Sequence, residues 1–205
     1  MNVLQEIDWI HSTALFNVAS FTCVAFDEYS YSKDKRLLPN EVRSLRISAS
    51  LLGIAAIHYT ILSNSDLSPF TNILIRYSDW LLTTPLLLWS CAAYYDLKSS
   101  IIQECIFLNV CMILFGFAYE TTNHRIFWGI SVLFYLILLI RLNSVLPEKD
   151  LFIRYFVIGW SSYGLISLLP FPSRIVPYTV MDVYNKLLFA LSIRSKIRSD
   201  VEKRS

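Results

Sequence analysis

The sequence predicts an all-α protein, a single seven-transmembrane helical bundle that spans residues 1–205. The chain is 55% hydrophobic with a mean hydropathy of +0.48. Only 17% of its residues are charged, whereas soluble domains carry about 25%. Its apolar residues also gather in seven runs, each close to the 17–25 residues that cross a bilayer as a helix. We therefore expect a multi-pass integral membrane protein whose main partner is the lipid bilayer.

None of the seven runs shows a clean amphipathic period, as expected for helices that are apolar nearly all round. The predicted spans are Asp8–Tyr29, Glu41–Ser63, Thr71–Tyr94, Ser99–Ala118, Arg125–Val145, Leu151–Leu169 and Ile175–Ile193. The connections are short and carry helix breakers at Pro39, residues 64–66, Pro147 and residues 170–172. Short connections make successive helices antiparallel neighbours. Residues from about 194 to 205 are expected to form a short basic tail.

Lysine and arginine predict the orientation, because cytoplasmic loops carry the excess of positive charge. Fourteen such residues fall on the side of the C-terminus, and only Arg125 and Arg174 fall on the other. The N-terminus is therefore expected outside and the C-terminus in the cytoplasm. The fourteen are Lys33, Lys35, Arg36, Arg43, Arg46, Lys98, Arg141, Lys149, Arg154, Arg194, Lys196, Arg198, Lys203 and Arg204.

Other features of the composition exclude several classes of partner. The net charge of +2 is too small to indicate nucleic acid. The four cysteines show neither metal-ligand spacing nor a CxxC motif, so we predict no metal site and take them as small buried hydrophobic residues. We do not expect an enzyme.

Two predicted helices carry charges at membrane depth, where ionisable groups are expensive and mark ion paths or ligand counter-ions. On the third helix, Thr83 lies four residues after Asp79 and so shares its face, which predicts that its hydroxyl donates to the carboxylate. Arg76 lies one turn before Asp79, and the seventh helix repeats the spacing with Asp182 and Lys186. The four charges sum to zero, as a buried cluster requires. Two interhelical salt bridges without further function remain the alternative.

Lys186 lies near the middle of its span, about 12 Å by helical rise from Arg194. Desolvation favours the neutral amine, the form that makes a Schiff base with an aldehyde. Large aromatic residues are ordinary filler in helical bundles, but beside a buried lysine they would form a slot for a long, flat, apolar ligand. They are Trp80, Trp128, Trp160 and Tyr163.

The Arg76–Pro85 segment on the third helix, together with Asp182 and Lys186 on the seventh, closely resembles the microbial rhodopsins. The resemblance covers all seven spans, and the short loops resemble the viral branch of that family. It implies that Lys186 holds all-trans retinal as a protonated Schiff base, with Asp79 and Asp182 as counter-ions. It also implies homo-oligomers, commonly trimers or pentamers in the family.

The resemblance assigns roles to further residues. Tyr59 is expected to be the partner of Asp182 in a counter-ion network. The other members of that network are Arg76, Thr83 and Tyr163. The expected retinal pocket comprises Trp80, Thr84, Leu87, Met112, Gly116, Trp128, Ser131, Trp160 and Ser167.

Three departures from the family pattern bear on function. Ser90 stands where one subgroup has a carboxylate that donates protons from the cytoplasmic side, so reprotonation is expected to be slow and pH-dependent. The segment from Leu169 to Pro177 lacks the acidic pair that releases protons in some pumps. Ser167 replaces a tryptophan beside the retinal ring and predicts a spectral shift.

These patterns favour a light-driven outward proton pump in which Asp79 accepts the proton. A light-gated cation channel is the second interpretation, and a photosensor the third. A channel would use a row of polar side chains at Ser12, Asn17, Glu41, His58, Asn109 and Asn185. Asn109 is expected to bond to Thr84. A seven-helix solute carrier or receptor without a chromophore is the alternative from another class.

Overall fold

In the part of the chain that the structure describes, seven α-helices follow one another, as the sequence predicts. They are α1 (Val3–Tyr31), α2 (Pro39–Leu62), α3 (Pro69–Tyr94), α4 (Ser99–Thr122), α5 (Arg125–Val145), α6 (Leu151–Ile166) and α7 (Ile175–Arg204). Helices that are neighbours in the chain pack against each other, and α7 closes the bundle against α1, α2, α3 and α6. The all-α seven-helix prediction is confirmed.

A computed structural model of the chain describes residues 3–63, 67–147, 151–170 and 173–204. For residues 3–11 and 151–156 it describes the backbone only. The predicted breakers at residues 64–66 and 171–172 lie outside the described residues, as does Lys149. The side chain of Arg154 is likewise not described.

Local sequence signals set several helix ends. Pro39 and Pro69 occupy first-turn positions, where a missing N–H costs nothing. Ser68 caps α3 by accepting a hydrogen bond from the Thr71 backbone N–H at 3.1 Å. Asn123 ends α4 in the left-handed conformation, with φ of 57°, which asparagine tolerates better than most residues.

The outer surface of the bundle is apolar and its interior is partly polar. Phe26 is 73% exposed and Ile140 is 72% exposed, whereas a set of polar and charged residues is almost fully buried between the helices. α2, α4 and α5 are each long and apolar enough to cross a membrane, and Val157–Ile166 forms a shorter apolar segment. An apolar exterior around buried polar groups is the arrangement that a hydrocarbon solvent requires.

The expected basic tail is wrong in one respect, because residues 194–204 continue α7 as a helix. This extension buries Ile197 and Val201. It is also held by Arg204, which donates to Glu41 at 2.8 and 2.9 Å, and by Asp200, which accepts from Tyr94 at 2.8 Å. The sequence alone suggested a tail because residues 194–205 are rich in charged side chains, among which the two buried apolar positions are not apparent.

A close crossing of α6 and α7 depends on a glycine. A Cβ atom added to Gly159 would lie 1.5 Å from Oδ1 of Asn185, so no larger residue fits there while Asn185 keeps its position. Asn185 immediately precedes Lys186, and it is only 9% exposed. The absence of a side chain at Gly159 therefore helps to fix the position of the α7 segment that carries the lysine.

We expect Gly159→Ala to destabilise the protein by about 1–3 kcal/mol, the usual cost of overpacking. The measurement is thermal unfolding in detergent or lipid. Gly129→Ala is the matched control, because no atom lies within 4 Å of an added Cβ at Gly129. Combining Gly159→Ala with Asn185→Ala should recover part of the loss. Equal midpoints for Gly159→Ala and the control would contradict the proposed steric role.

Candidate functional site

The buried charges of α3 and α7 meet at the amine of Lys186. Lys186 is 2% exposed, and its Nζ contacts the carboxylates of both Asp79 and Asp182. The distance from Nζ to Oδ2 of Asp182 is 3.0 Å. One positive charge thus lies between two negative charges contributed by different helices. The structure therefore brings together the three residues on which the sequence interpretation depends.

Asp182 is fully supplied with hydrogen-bond donors. Its Oδ2 accepts from the Tyr59 hydroxyl at 2.8 Å, and its Oδ1 accepts from the Trp80 indole N–H at 2.9 Å and from the Tyr163 hydroxyl. The contact predicted between Tyr59 and Asp182 is present. Hydrogen bonds from neutral donors stabilise the charged form of a carboxylate, so Asp182 is held as the anion.

Asp79 is less well supplied. Its Oδ1 is buried and has no hydrogen-bond partner among the described residues. Nδ1 of His58 lies 3.6 Å from that oxygen. The predicted hydrogen bond from Thr83 to the Asp79 carboxylate is wrong. The Thr83 hydroxyl instead donates to the backbone carbonyl of Asp79 at 2.8 Å, because a threonine in a helix easily reaches the carbonyl four residues earlier.

Arg76 lies apart from the two aspartates. Its Nε donates to Oδ1 of Asn72 at 3.0 Å, and its Nη2 donates to the Thr179 hydroxyl at 2.8 Å. No ion pair joins it to either aspartate within the described part of the chain. The four charges predicted to sum to zero therefore do not form two direct ion pairs. Arg76 therefore affects the two aspartates electrostatically, over a distance longer than that of an ion pair.

An apolar cavity of about 300 Å³ lies beside the charged site. Trp80 and Tyr163 line the cavity, and both also hydrogen-bond to Asp182. The cavity includes eight of the nine residues predicted for the retinal pocket, namely Trp80, Thr84, Met112, Gly116, Trp128, Ser131, Trp160 and Ser167. Residues from α3 to α7 thus converge on one space, although they are far apart in the chain.

Leu87 was predicted for this pocket and does not line it. It is 4% exposed and packs in the main hydrophobic core instead, because it lies almost one helical turn beyond Thr84 on α3. Sequence reasoning missed ten lining residues. They are Tyr77, Ile113, Tyr119, Val132, Tyr135, Leu136, Ser161, Gly164, Leu165 and Tyr178. For Tyr77, Tyr119 and Tyr135 the available signal was a spacing of three or four residues from a predicted member.

The residues present fit retinal. The cavity volume falls within the range of about 300–1,000 Å³ typical of small-molecule sites. Its walls are flat aromatic and apolar side chains, which suit a polyene. Trp80 and Tyr163 hydrogen-bond to Asp182, which in turn accepts from the amine of Lys186. A lysine amine is the side-chain group that forms a Schiff base with an aldehyde.

Two predicted positions on α3 make interhelical hydrogen bonds. Asn109 donates to the Thr84 hydroxyl at 2.6 Å, so this predicted contact is present. Ser90 is fully buried, and its hydroxyl donates to the backbone carbonyl of Ser44 at 2.9 Å, while the Ser44 hydroxyl donates to the carbonyl of Ser90 at 2.8 Å. Ser90 therefore joins α3 to α2.

The polar residues considered for an ion path do not form one row. Ser12 is exposed on the outside of α1, because it lies on the face of that helix opposite the core. Asn17 donates to the backbone carbonyl of Thr179 at 3.3 Å, and Asn185 packs against Gly159. Glu41 binds Arg204 at the end of the bundle. Among the described residues, the members of this set do not hydrogen-bond to one another.

Sequence reasoning also missed Glu120. Its side chain is 2% exposed; its Oε1 accepts from the Tyr178 hydroxyl, and its Oε2 lies 3.6 Å from Nη1 of Arg174. The prediction ended the fourth helix at Ala118, which placed Glu120 in a connection. The helix actually continues to Thr122. A buried acid therefore lies near the end of the bundle where the segment from Leu169 to Pro177 carries none.

The comparisons with known proteins agree with this geometry. A family model described as bacteriorhodopsin-like protein matches residues 9–197. No curated protein sequence matches at a significant level.

Three solved structures with a similar fold are distant in sequence. The viral rhodopsin OLPVRII shares 18% identity with a TM-score of 0.82, over 90% of this chain and 95% of that one. Xanthorhodopsin, described as a light-driven ion pump with a dual chromophore, shares 20% identity with a TM-score of 0.82, over 98% and 96%. The light-driven proton pump of Coccomyxa subellipsoidea shares 17% identity with a TM-score of 0.75, over 90% and 95%.

At these identities the solved structures establish the fold, and the family match establishes the relationship. The helical architecture agrees with both. The chain belongs to the bacteriorhodopsin-like family of multi-pass membrane proteins, which bind retinal as their chromophore.

Proposed function

We propose that this protein is a light-driven outward proton pump, with its N-terminus outside and its C-terminus in the cytoplasm. The observation that carries the proposal is the unequal support of the two acids that contact Lys186. Asp182 accepts three hydrogen bonds from neutral donors, whereas one buried oxygen of Asp79 accepts none from the described residues. The less stabilised carboxylate is the better proton acceptor, so Asp79 would receive the proton and Asp182 would stay charged.

Lys186 would hold the retinal through its amine, and the aromatic residues of the cavity would orient the polyene. When bound, retinal supplies the absorption of light and a light-driven change in the environment of that nitrogen. The chain's own groups then determine the direction of transfer. The nitrogen of Lys186 gives its proton to Asp79, and Arg76, which lies one helical turn away on α3, stabilises charge on the outward side. Apolar packing on the other side keeps water from the amine.

The comparisons support the pump in coarse terms, since two of the similar structures are described as light-driven pumps. A cation channel would need a continuous polar path. The scattered positions of Ser12, Asn17, Glu41 and Asn185 argue against it. The channel therefore remains the outcome to be separated by experiment.

The deciding experiment is photocurrent against voltage in a membrane containing the retinal-loaded protein. We expect outward current at zero driving force and against a moderate opposing voltage, because a pump takes its energy from light. Inverting the proton gradient should change the size of the current but not its sign. A photocurrent that vanishes at zero driving force and reverses near a cation equilibrium potential would identify a channel instead.

Asp79→Asn should shift the absorption band to the red and abolish pumping. Removing the negative charge beside the positive nitrogen destabilises the ground state, and an amide cannot accept the proton. The measurements are the absorption spectrum and the photocurrent. Asp96→Asn is the matched control, because Asp96 is exposed and stands outside the site. An unchanged proton current in Asp79→Asn would remove Asp79 from this role.

Lys186→Ala should give no visible pigment with all-trans retinal, because Lys186 is the only buried lysine among the described residues and its partner Asp182 bonds to two residues that line the cavity. Lys33→Ala, which removes an exposed lysine, should form the pigment normally. Since loss of Lys186 also leaves two buried acids uncompensated, folding must be checked by circular dichroism. Adding a small primary alkylamine with retinal should restore colour in Lys186→Ala if the cavity is intact. A full pigment band in Lys186→Ala without added amine would refute the assignment.

A further inference from the structure

Two buried carboxylates lie at the basic end of the bundle, and they differ in their surroundings. Glu41 is 3% exposed and lies in the first turn of α2. Its Oε2 accepts from the backbone N–H of Leu38 at 2.8 Å, and Arg204 donates to both of its oxygens. An arginine and a helix N-terminus both favour the negative form of a carboxylate. Glu41 is therefore occupied as an ion-pair partner.

Glu28, near the end of α1, is in the opposite situation. It is 0% exposed, and neither of its carboxylate oxygens has a hydrogen-bond partner among the described residues. Its neighbour in sequence, Asp27, is more than half exposed at the side chain and pairs with Arg194. A charged carboxylate without a partner is strongly unfavourable in an apolar interior, so the group keeps its proton instead. Glu28 is thus a buried carboxylic acid.

Contacts between α1 and its neighbours place Glu28 relative to the site. The Phe21 ring lies against Lys186, with Nζ 5.9 Å from the ring centroid. The same ring contacts Tyr59 on α2, with centroids 5.6 Å apart. Glu28 lies seven residues beyond Phe21, which is about 10 Å along the helix. Since α1 runs toward the end where the lysines and arginines gather, Glu28 is on the cytoplasmic side of Lys186 in the proposed orientation.

Between the two levels, the buried residues of α2 and α7 are apolar, whereas α3 contributes the polar Thr83. Seven residues separate Tyr59 from Leu52 on α2, and Lys186 from Ile193 on α7, so these positions lie at about the level of Glu28. Leu52, Ile193 and Ala190 are each 0% exposed and belong to the main hydrophobic core. This packing separates the acid from the amine. A donor that must act only after illumination requires such a separation.

Among the described residues, the charged groups near this level on α2 and α7 are either paired with another residue or exposed. On α7, Arg194 pairs with Asp27, and Arg198 pairs with Glu202. On α2, Arg43 and Arg46 are both exposed. Ser48 on α2 is fully buried, and its hydroxyl also has no partner among the described residues.

We propose that Glu28 is the internal proton donor of the pump, on the first helix, in place of the missing acid at Ser90. The inference rests on the proposed function. After the nitrogen of Lys186 has given its proton to Asp79, the Glu28 carboxylic acid gives its own proton to that nitrogen and becomes a carboxylate. A proton from cytoplasmic water then restores the acid. Glu28 is accordingly a proton-transfer residue, whereas Glu41 positions the end of α7.

The first test is infrared spectroscopy of the dark protein, with and without retinal. Glu28→Gln should remove a carbonyl stretching band of a protonated, buried carboxylic acid, and Asp27→Asn should leave that band in place. The band does not depend on pumping. Persistence of every carboxylic-acid band in Glu28→Gln would overturn the proposal, even if the wild type pumps protons.

The second test is flash photolysis of the retinal-loaded protein. In Glu28→Gln, recovery of the protonated chromophore should slow by about 10²-fold, the usual contribution of a positioned acid. Its rate should also fall about tenfold for each unit of rising pH, because protons then come directly from water. Glu41→Gln is the matched control and should keep the wild-type rate and pH profile. Wild-type kinetics in Glu28→Gln, with normal pigment, would overturn the assignment of Glu28.

The two proposals fail in different ways. If the wild type carries no outward current, the pump is wrong, while the infrared band of Glu28 still reports whether the acid is protonated. If the wild type pumps and the slowing appears in Glu41→Gln instead, the pump stands and the donor is Glu41.

Discussion

The structure depends on one positive charge held between two negative charges in an apolar interior. Lys186 on α7 contacts Asp79 on α3 and Asp182 on its own helix. None of these groups could be buried alone, because an unpaired ion in hydrocarbon costs several kcal/mol. The contact therefore fixes how α3 and α7 face each other. It also requires a shell of donors, which Tyr59, Trp80 and Tyr163 supply from three further positions in the bundle.

In the proposed pump, the unequal quality of that shell gives the site its direction. Asp182 is surrounded by donors, while Asp79 has one oxygen without a hydrogen bond among the described residues and a histidine nitrogen 3.6 Å away. A symmetric shell would hold both acids equally and leave the proton no preferred route. On the cytoplasmic side of the proposed orientation, an apolar layer separates the amine from Glu28. Polar contacts toward one end and dry packing toward the other are what a one-way transfer needs.

The bundle also depends on close contact between helices. A few small or hydroxylated side chains make this contact possible. Gly159 admits Asn185 beside the lysine, and Ser44 and Ser90 exchange hydrogen bonds between α2 and α3. Helices in membranes gain little from apolar contact alone, since lipid tails are equally apolar. Such close contacts and interhelical hydrogen bonds therefore do much of the positioning that a water-driven core would otherwise do.

The seven helices and the charges of α3 and α7 could be read from the sequence, because hydropathy and three- or four-residue spacing are local properties. Most of the pocket followed from the resemblance to the microbial rhodopsins. The contact of Tyr59 with Asp182 followed from the family resemblance. The hydrogen bond of Thr83, the place of Leu87, the exposure of Ser12 and the helical end of α7 could not be read. Each depends on helix rotation or on which neighbour is nearer, which no single run of residues specifies.

The sequence by itself determined that the chain spans a bilayer and that the charge of Asp79 on α3 needs Lys186 as its positive partner. The reason is that the free energy of transfer to hydrocarbon acts on each residue regardless of its neighbours. Only the tertiary structure decided which acid is well supplied with donors and which carboxyl group is left alone. Glu28 and Glu41 are both glutamates near helix ends on the same side. The first turn of α2 favours a charged Glu41 locally, but it does not produce the full difference between their partners. The difference arises because Arg204, far away in the chain, reaches one of them and not the other.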